Sequence, residues 1–408
     1  MADNANIWRI ASTRNRAEPL LGSGMVAGVA TDKVWHWGDN NMLPYVLSLI
    51  ARNSVAHRRI INDKADYIAG KGLTCDANLG VVRQVVACAN GSGETLRSVI
   101  ARLALDEAMF GNAFMEVVTD SEGSFLSLYH VDASKCRLAR DEERVVMHHD
   151  WSQFGASEAV SLPLYPALEQ QTDGTLRAVV HYKDYEPMFS HYGVAPYVAG
   201  LNAAAILYRT DRWNVSRLDN SFQLSGVMML DGAVGSEQDA DRMVRMAEEK
   251  FSGNPGQVLF VLRESGEGDS SRFIPIDSKA DGDWAKLHEQ AESDLVVAHS
   301  WFRSLSGLDY SSGFSTERIL HEYEVALNTV ILSEQEQLLE PIRHIFSTIL
   351  GIDASSLAII NRPPTRSKPI YMRVWEARKA DGLDYDEKDP EQQRLLAEIT
   401  KYNIRSVE

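Results

Sequence analysis

Gly70-Lys71-Gly72 is the first stretch that could do chemistry, because a lysine flanked by glycines can hold a phosphate. A P-loop needs a glycine five positions before the Gly of its Gly-Lys pair, and a Ser or Thr after the lysine. Here Ala65 stands at the first position, and Gly72 replaces the hydroxyl residue that would meet magnesium. The stretch follows a helical pattern rather than a strand, so it reads as a turn in which Gly70 caps a helix. "GSGMVAG", Gly22 to Gly28, lacks the spacing of a dinucleotide fingerprint and reads as a loop.

Other reactive residue types are equally scattered. His148, His149 and Asp150 are metal-ligand types, but adjacent residues on a strand point to opposite faces, so the two histidines cannot easily share one ion. "DGAVGSEQDAD" is acidic without the EF-hand order of oxygen ligands and glycine. The pairs Glu334/Glu336 and Asp281/Asp283 are expected to be solvated. Cys75, Cys88 and Cys136 are an odd number at irregular spacing, so neither a disulfide framework nor a CxxC pair is expected, only free thiols of a reducing compartment. No serine stands in a nucleophile elbow and no Cys–His pairing is visible. The sequence therefore offers no catalytic set, no metal set and no cofactor box.

The elements that would position any site can be read from periodicity. Residues 1–36 form an irregular arm with a strand or two. Apolar positions from Met42 to Ile68 recur at helical steps, with Asn53 or Ser54 breaking the run and Ser54 suited to cap its second half. Leu96 to Phe110 is a second amphipathic helix, ended by Gly111. Two hairpins follow: "AFMEVVTD" and "FLSLYHVD" flank "SEG", and "KCRLAR" and "RVVMHHDW" flank "DEE". With "TLRAVVHYKDY" they predict a β-rich region, a small barrel or sandwich. Pro196 opens a helix reaching about Leu218. "FQLSGVMMLDG", a helix capped by Ser236, "QVLFVL" and "RFIPI" make 221–276 an αβ insert. Trp284 to Phe302 is helical, with Trp284, Leu287, Ala291, Leu295, Ala298 and Phe302 on one stripe. A Ser/Gly-rich loop leads to a long helix from Thr316 to Leu350, kinked at Pro341. Asp389 and Pro390 start a terminal helix.

Length and charge bound the class. The 408 residues suffice for two or three packing units. A formal net charge of −16 argues against tight adhesion to nucleic acid, though not against letting it slide past. No 18-residue apolar run is present to span a membrane, and "MADNANIWRI" lacks the apolar core of a secretion signal.

The order of these elements resembles the portal proteins of tailed double-stranded DNA phages, the ring at a capsid vertex. "TLRSVIARLALDEAMFGNAFMEVVTDSEGSFLSLYHVDASKCRL" is similar to the family's helix, Gly-Asn-x-x-x-Glu strand and hairpin. "VVHYKDY" and "HYGVAPYVAGLNAAAILYRTDRWNVSRLDNSFQLSGVMML" resemble its His-Tyr-Lys strand, Tyr-Gly-x-x-Pro turn and first long helix. "SGNPGQVLFVL" and "WFRSLSGLDYSSGFSTERILHEYEVALNTVILSEQEQLLEPI" resemble its second half, and "WGDNNMLPYVLSLIARNSVAHRRIINDKADYIAGKGL" its N-terminal helices. The likeness covers roughly 37–350 by order and short matches, without one specific motif.

The resemblance implies an α+β subunit: an arm (1–36), a wing (37–192 and 316–350), stem helices (193–219 and 281–302), a clip (220–280), a tunnel loop (303–315) and a small helical crown (351–408). It further implies a ring of usually twelve copies around double-stranded DNA, with no catalytic residues, metal or cofactor. The implied partners are the terminase large subunit, the major capsid protein and head-tail adaptor or neck proteins. The implied location is the virion, with assembly in the host cytoplasm and no membrane. Within the tunnel loop, Arg303, Ser306, Gly307, Tyr310, Ser311, Gly313 and Phe314 are expected to face DNA or anchor the loop. Two readings compete: an adaptor-like ring without a DNA-channel role, and a nucleotide-binding enzyme built on Gly70 to Gly72.

Overall fold

The computed structural model describes residues 7–12, 33–153, 159–219, 226–231, 242, 258–263, 272–275, 281–308, 316–365, 373–380 and 386–394. It begins with a strand, β1 (Ile7–Ser12). The helical run expected from Met42 is two helices, α1 (Leu43–Arg52) and α2 (Val55–Ala69). Pro44 lies in the first turn of α1, where its missing N–H costs nothing. Ser54 separates the two as the cap of α2, its hydroxyl accepting the His57 N–H at 3.4 Å. After β2 (Leu73–Thr74) comes α3 (Gly80–Ala87), which periodicity did not reveal: "GVVRQVVA" is short and half valine, a weak helix former. α4 (Leu96–Phe110) has the bounds its sequence predicts and ends at Gly111, while Thr95, which the sequence reading did not single out, caps its start.

The β-rich region holds β3 (Asn112–Thr119), β4 (Leu126–Val131), β5 (Cys136–Leu138), β6 (Arg144–Met147), β7 (Val160–Pro163), β8 (Glu169–Gln170) and β9 (Leu176–Lys183). They form two small antiparallel sheets, ordered β4-β3-β9-β8 and β5-β6-β7. β3 is central, and its alternation feeds two cores. Ala113, Met115 and Val117 join Val99, Ile100 and Leu103 of α4. Phe114, on the other face, joins Leu47 and Ile50 of α1 and Tyr197. Arg137 of β5 is fully buried, with its Nη1 and Nη2 on the carbonyls of Ser134 at 3.0 Å and Asn41 at 2.7 Å. Its guanidinium lies 4.8 Å over the Trp151 ring and 5.4 Å from that of Trp37. Desolvation lowers its pKa to about 10, so it is still charged at neutral pH.

α5 (Leu201–Asp219) begins a few residues after Pro196, behind one 3-10 turn at Val198–Gly200. Beyond it lie β10 (Gly226–Asp231), β11 (Val258–Arg263) and β12 (Arg272–Pro275). They form one sheet ordered β1-β11-β10-β12, with β10 and β11 parallel. The N-terminal arm thus contributes an edge strand to the insert, a long-range pairing with no local signal. Of the helix expected from Ser236, residue 242 alone is among the described residues, and it is helical.

α6 (Asp281–Ala298) packs along α5, buries Ala291 and Leu295 of the expected stripe, and leaves Leu287 39% exposed. The long C-terminal helix is α7 (Thr316–Ala326), a π turn at Leu327–Ile331, and α8 (Leu332–Leu350). The departure from α geometry sits at that π turn, while Pro341 lies within α8. β13 (Ala358–Ile359) pairs antiparallel with β2, and α9 (Val374–Ala380) follows. Asp389 accepts the Glu391 N–H at 3.0 Å in a turned segment; residues beyond 394 lie outside the description.

Candidate channel junction

The chain leaves α6 at His299 and Ser300, passes Trp301, and makes a 3-10 turn at Ser304–Ser306 that stops at Gly307. Gly307 has φ 64°, a left-handed conformation that suits glycine. This turn is the root of the Ser/Gly-rich loop, and its side chains reach three helices. Arg303 pairs with buried Glu292 of α6. The Ser304 hydroxyl donates to Glu322 of α7, whose other oxygen takes Arg318 at 2.7 Å. Ser306 is buried, accepts the Trp301 indole N–H at 3.1 Å and lies beside Asp63 where the turn packs against α2. Asp63 also meets Arg59 one turn away at 2.6 Å. Burial raises the pKa of Asp63, with Arg59 and Ser306 opposing the rise.

Beneath the turn lies a buried layer of rings. His57 Nδ1 and His299 Nε2 are 2.9 Å apart, and the Tyr197 ring stacks on His299 with centroids 4.7 Å apart. Tyr197 donates its hydroxyl to the Met109 carbonyl at 2.6 Å. Only one proton fits between the facing nitrogens. Burial pushes His57 down to about 4, and Arg58 adds to that; burial together with His57 and Lys64 pushes His299 well below its ordinary value. Both rings are neutral at physiological pH. The layer is therefore a rigid base, not an acid–base pair open to substrate.

The seven loop residues singled out from sequence divide here. Arg303, Ser306 and Gly307 belong to the packed root: one is ion-paired, one buried, one a cap. Tyr310, Ser311, Gly313 and Phe314 lie outside the described residues. Sequence reading missed the residues that hold the root, namely Asp63, Glu292 and Glu322. Arg59/Asp63 and Arg318/Glu322 were legible as i,i+4 pairs, but their shared attachment to one turn was not.

Gly70-Lys71-Gly72 is a turn whose polar backbone is already engaged. Gly70 has φ 61°, and its carbonyl accepts two bonds from Arg97 at 3.0 and 2.8 Å. The Lys71 N–H goes to the Ile360 carbonyl at 2.8 Å, and the Gly72 carbonyl takes the Ile360 N–H at the same length. A phosphate would find no free donor on Lys71's backbone. His148 is buried while His149 is exposed, and neither joins a ligand cluster among the described residues. The expectation that Glu334 is solvated is overturned. Its side chain is 16% exposed, meets Lys64 at 3.4 Å, and converges with Glu107 and Asp184. Tertiary packing of α8 against α2 and α4 buries it, which no local pattern discloses. Glu336 is 61% exposed and pairs with Arg343.

The fold defines an α+β subunit in which two packed helices bracket a small sheet and lead into a clamped turn. The sequence model of the family described as phage portal protein matches residues 87–282. Relatives include probable portal proteins of Haemophilus phage HP1 and Escherichia phage P2. The first is 22% identical over 55% of this chain and 62% of the relative; the second is 22% identical over 49% and 53%. The chain spans between about half and just under two thirds of the length of the curated relatives it matches. Among solved structures, a chain from the neck of an empty gene transfer agent particle superposes with a TM-score of 0.53, at 15% identity, over 84% of this chain and 94% of that one. That likeness shows a shared fold. The resemblance to phage portal proteins read from the sequence is borne out by these matches.

Proposed function

We propose that the chain is the subunit of a portal ring at one capsid vertex of a phage-like particle. Copies of it, twelve by the family's habit, surround double-stranded DNA during packaging and ejection. The wing is 37–192 with 316–350, the stem 193–219 with 281–302, the clip 220–280, the tunnel loop 303–315 and the crown 351–408. The terminase large subunit docks on the clip during packaging and neck proteins replace it afterwards, while the wing meets the major capsid protein. The particle is the final location, after assembly in the host cytoplasm.

One observation carries this reading. The insert sheet grows between α5 and α6, and α6 ends in a turn tied to α2, α6 and α7. A loop that starts from so firm a root can project while its base stays fixed. Two refinements follow. β1 extends the clip sheet to Ile7–Ser12, and β13 with the Ile360 contacts ties the start of the crown to the wing. Acidity supports a conduit: twelve copies would carry roughly −190 charges, which disfavours lasting adhesion of a duplex.

Electron microscopy of the purified chain tests this directly. The expected image is a ring of countable symmetry with a through-hole. Rings without a hole would favour the adaptor reading, and a monomer hydrolysing ATP would favour the enzyme.

A further inference from the structure

Glu107 is 2% exposed, and neither of its carboxylate oxygens has a hydrogen-bond partner. Such a group is among the costliest things a fold can bury, and it asks for a compensating charge. It sits on α4 and points at two more carboxylates: Asp184, just after β9, and Glu334 of α8. One oxygen from each lies within 4.8 Å of the others. We propose that these three side chains bind a calcium-sized divalent cation.

The remaining groups around the site fit this charge. Lys64 of α2 brings one ammonium, 3.4 Å from Glu334 Oε1. Gln337 donates its amide to Asp184 Oδ1 at 2.7 Å, orienting that carboxylate. The Tyr182 hydroxyl turns to Met115 Sδ at 3.8 Å and supplies no charge. As ligands the three carboxylates are ionised, and against one ammonium they leave two negative charges, which a divalent ion cancels. Size selects among hard cations. Calcium takes oxygens at about 2.4 Å, so ligands on opposite sides of it stand up to about 5 Å apart. Magnesium at about 2.1 Å demands a tighter octahedron, and zinc prefers nitrogen and sulfur. An all-oxygen set of this spread suits calcium best. The ion would pin α8 to α4 and to the end of β9, across elements far apart in sequence. This inference does not depend on the portal reading and fails or stands separately from it.

The test uses the full chain, stripped with a chelator, in thermal melts and titration calorimetry with calcium chloride and magnesium chloride. Expected are a melting temperature about 5 °C higher in millimolar calcium than in chelator, a smaller response to magnesium, and a saturable calorimetric signal. Glu107→Gln keeps the shape and removes the charge. It should abolish both the calcium shift and the calorimetric signal, and melt in chelator no lower than the parent. Should that variant not fold, Asp184→Asn reads the same loss from the site's more open side. A parent chain indifferent to calcium would overturn the proposal and leave Lys64 as sufficient compensation. A Glu107→Gln or Asp184→Asn chain that keeps the full calcium response would overturn it too.

Discussion

Arg303 directs its guanidinium at buried Glu292, so a passing phosphate could engage it only by breaking that pair. The side chain is thus first a structural cation. Arg303→Ala leaves Glu292 buried and uncompensated, and should cost about 3 kcal/mol in urea denaturation; a loss under about 0.5 kcal/mol would show that the pair contributes nothing. The facing histidines make a second residue-scale expectation. For His57 the folded pKa, about 4, lies below the unfolded value of 6.5, so the unfolded chain binds more protons between those limits. Its contribution is therefore complete above pH 6.5 and lost as pH falls toward 4. The contribution is up to about 3 kcal/mol for such a shift. Glu107 and Asp106, whose pKa values burial raises, pull the other way in acid, so the reading must be differential. His57→Gln should flatten the fall in melting temperature between pH 6.5 and 4 relative to the parent. An unchanged profile would mean the ring pair accepts a proton without strain.

Turns at the ends of elements decide how the helices meet the sheets. Gly111 ends α4 at φ 66°, and a Cβ there would lie 2.1 Å from the Val194 carbonyl oxygen. Backbone cannot give way as a side chain can, so Gly111→Ala should lose more than about 2 kcal/mol or fail to fold. Lys71 is the contrasting case. Its backbone is paired with Ile360 but its side chain is exposed. Lys71→Ala should change stability by less than about 0.5 kcal/mol and leave assembly intact. Loss of assembly in that variant would mean the turn carries more than geometry.

For the whole assembly the expectations concern the loop and the clip. Copies of a cysteine at Ser311 should crosslink around a ring, and DNA in the bore should shield it from thiol reagents. Cys136 is fully buried with its thiol pKa raised by desolvation, so only Cys75 and Cys88 need replacing in the background. A thiol at 311 that never crosslinks, and labels equally with and without DNA, would remove the loop from the bore. Deleting 264–271, between β11 and β12, should leave rings intact but impair packaging. Normal packaging by that deletion would take the terminase off the clip.

Legible from the residues alone is what acts locally: α1, α2 and α4 with their ends at Ser54, Gly70 and Gly111, the hairpins β3–β4 and β5–β6, and the strands of the insert. Each rests on a period or a cap that acts within a few residues, and the resemblance to phage portals rests on their order. The tertiary structure alone decided the rest. β1 finds β11 some 250 positions away, and β13 finds β2 across a comparable span. Three carboxylates at 107, 184 and 334 become one cluster, and a single turn at Ser304–Ser306 gathers acids from three helices. Nothing near those residues in the chain marks their convergence, because the free energy of burying a charge depends on what packs over it.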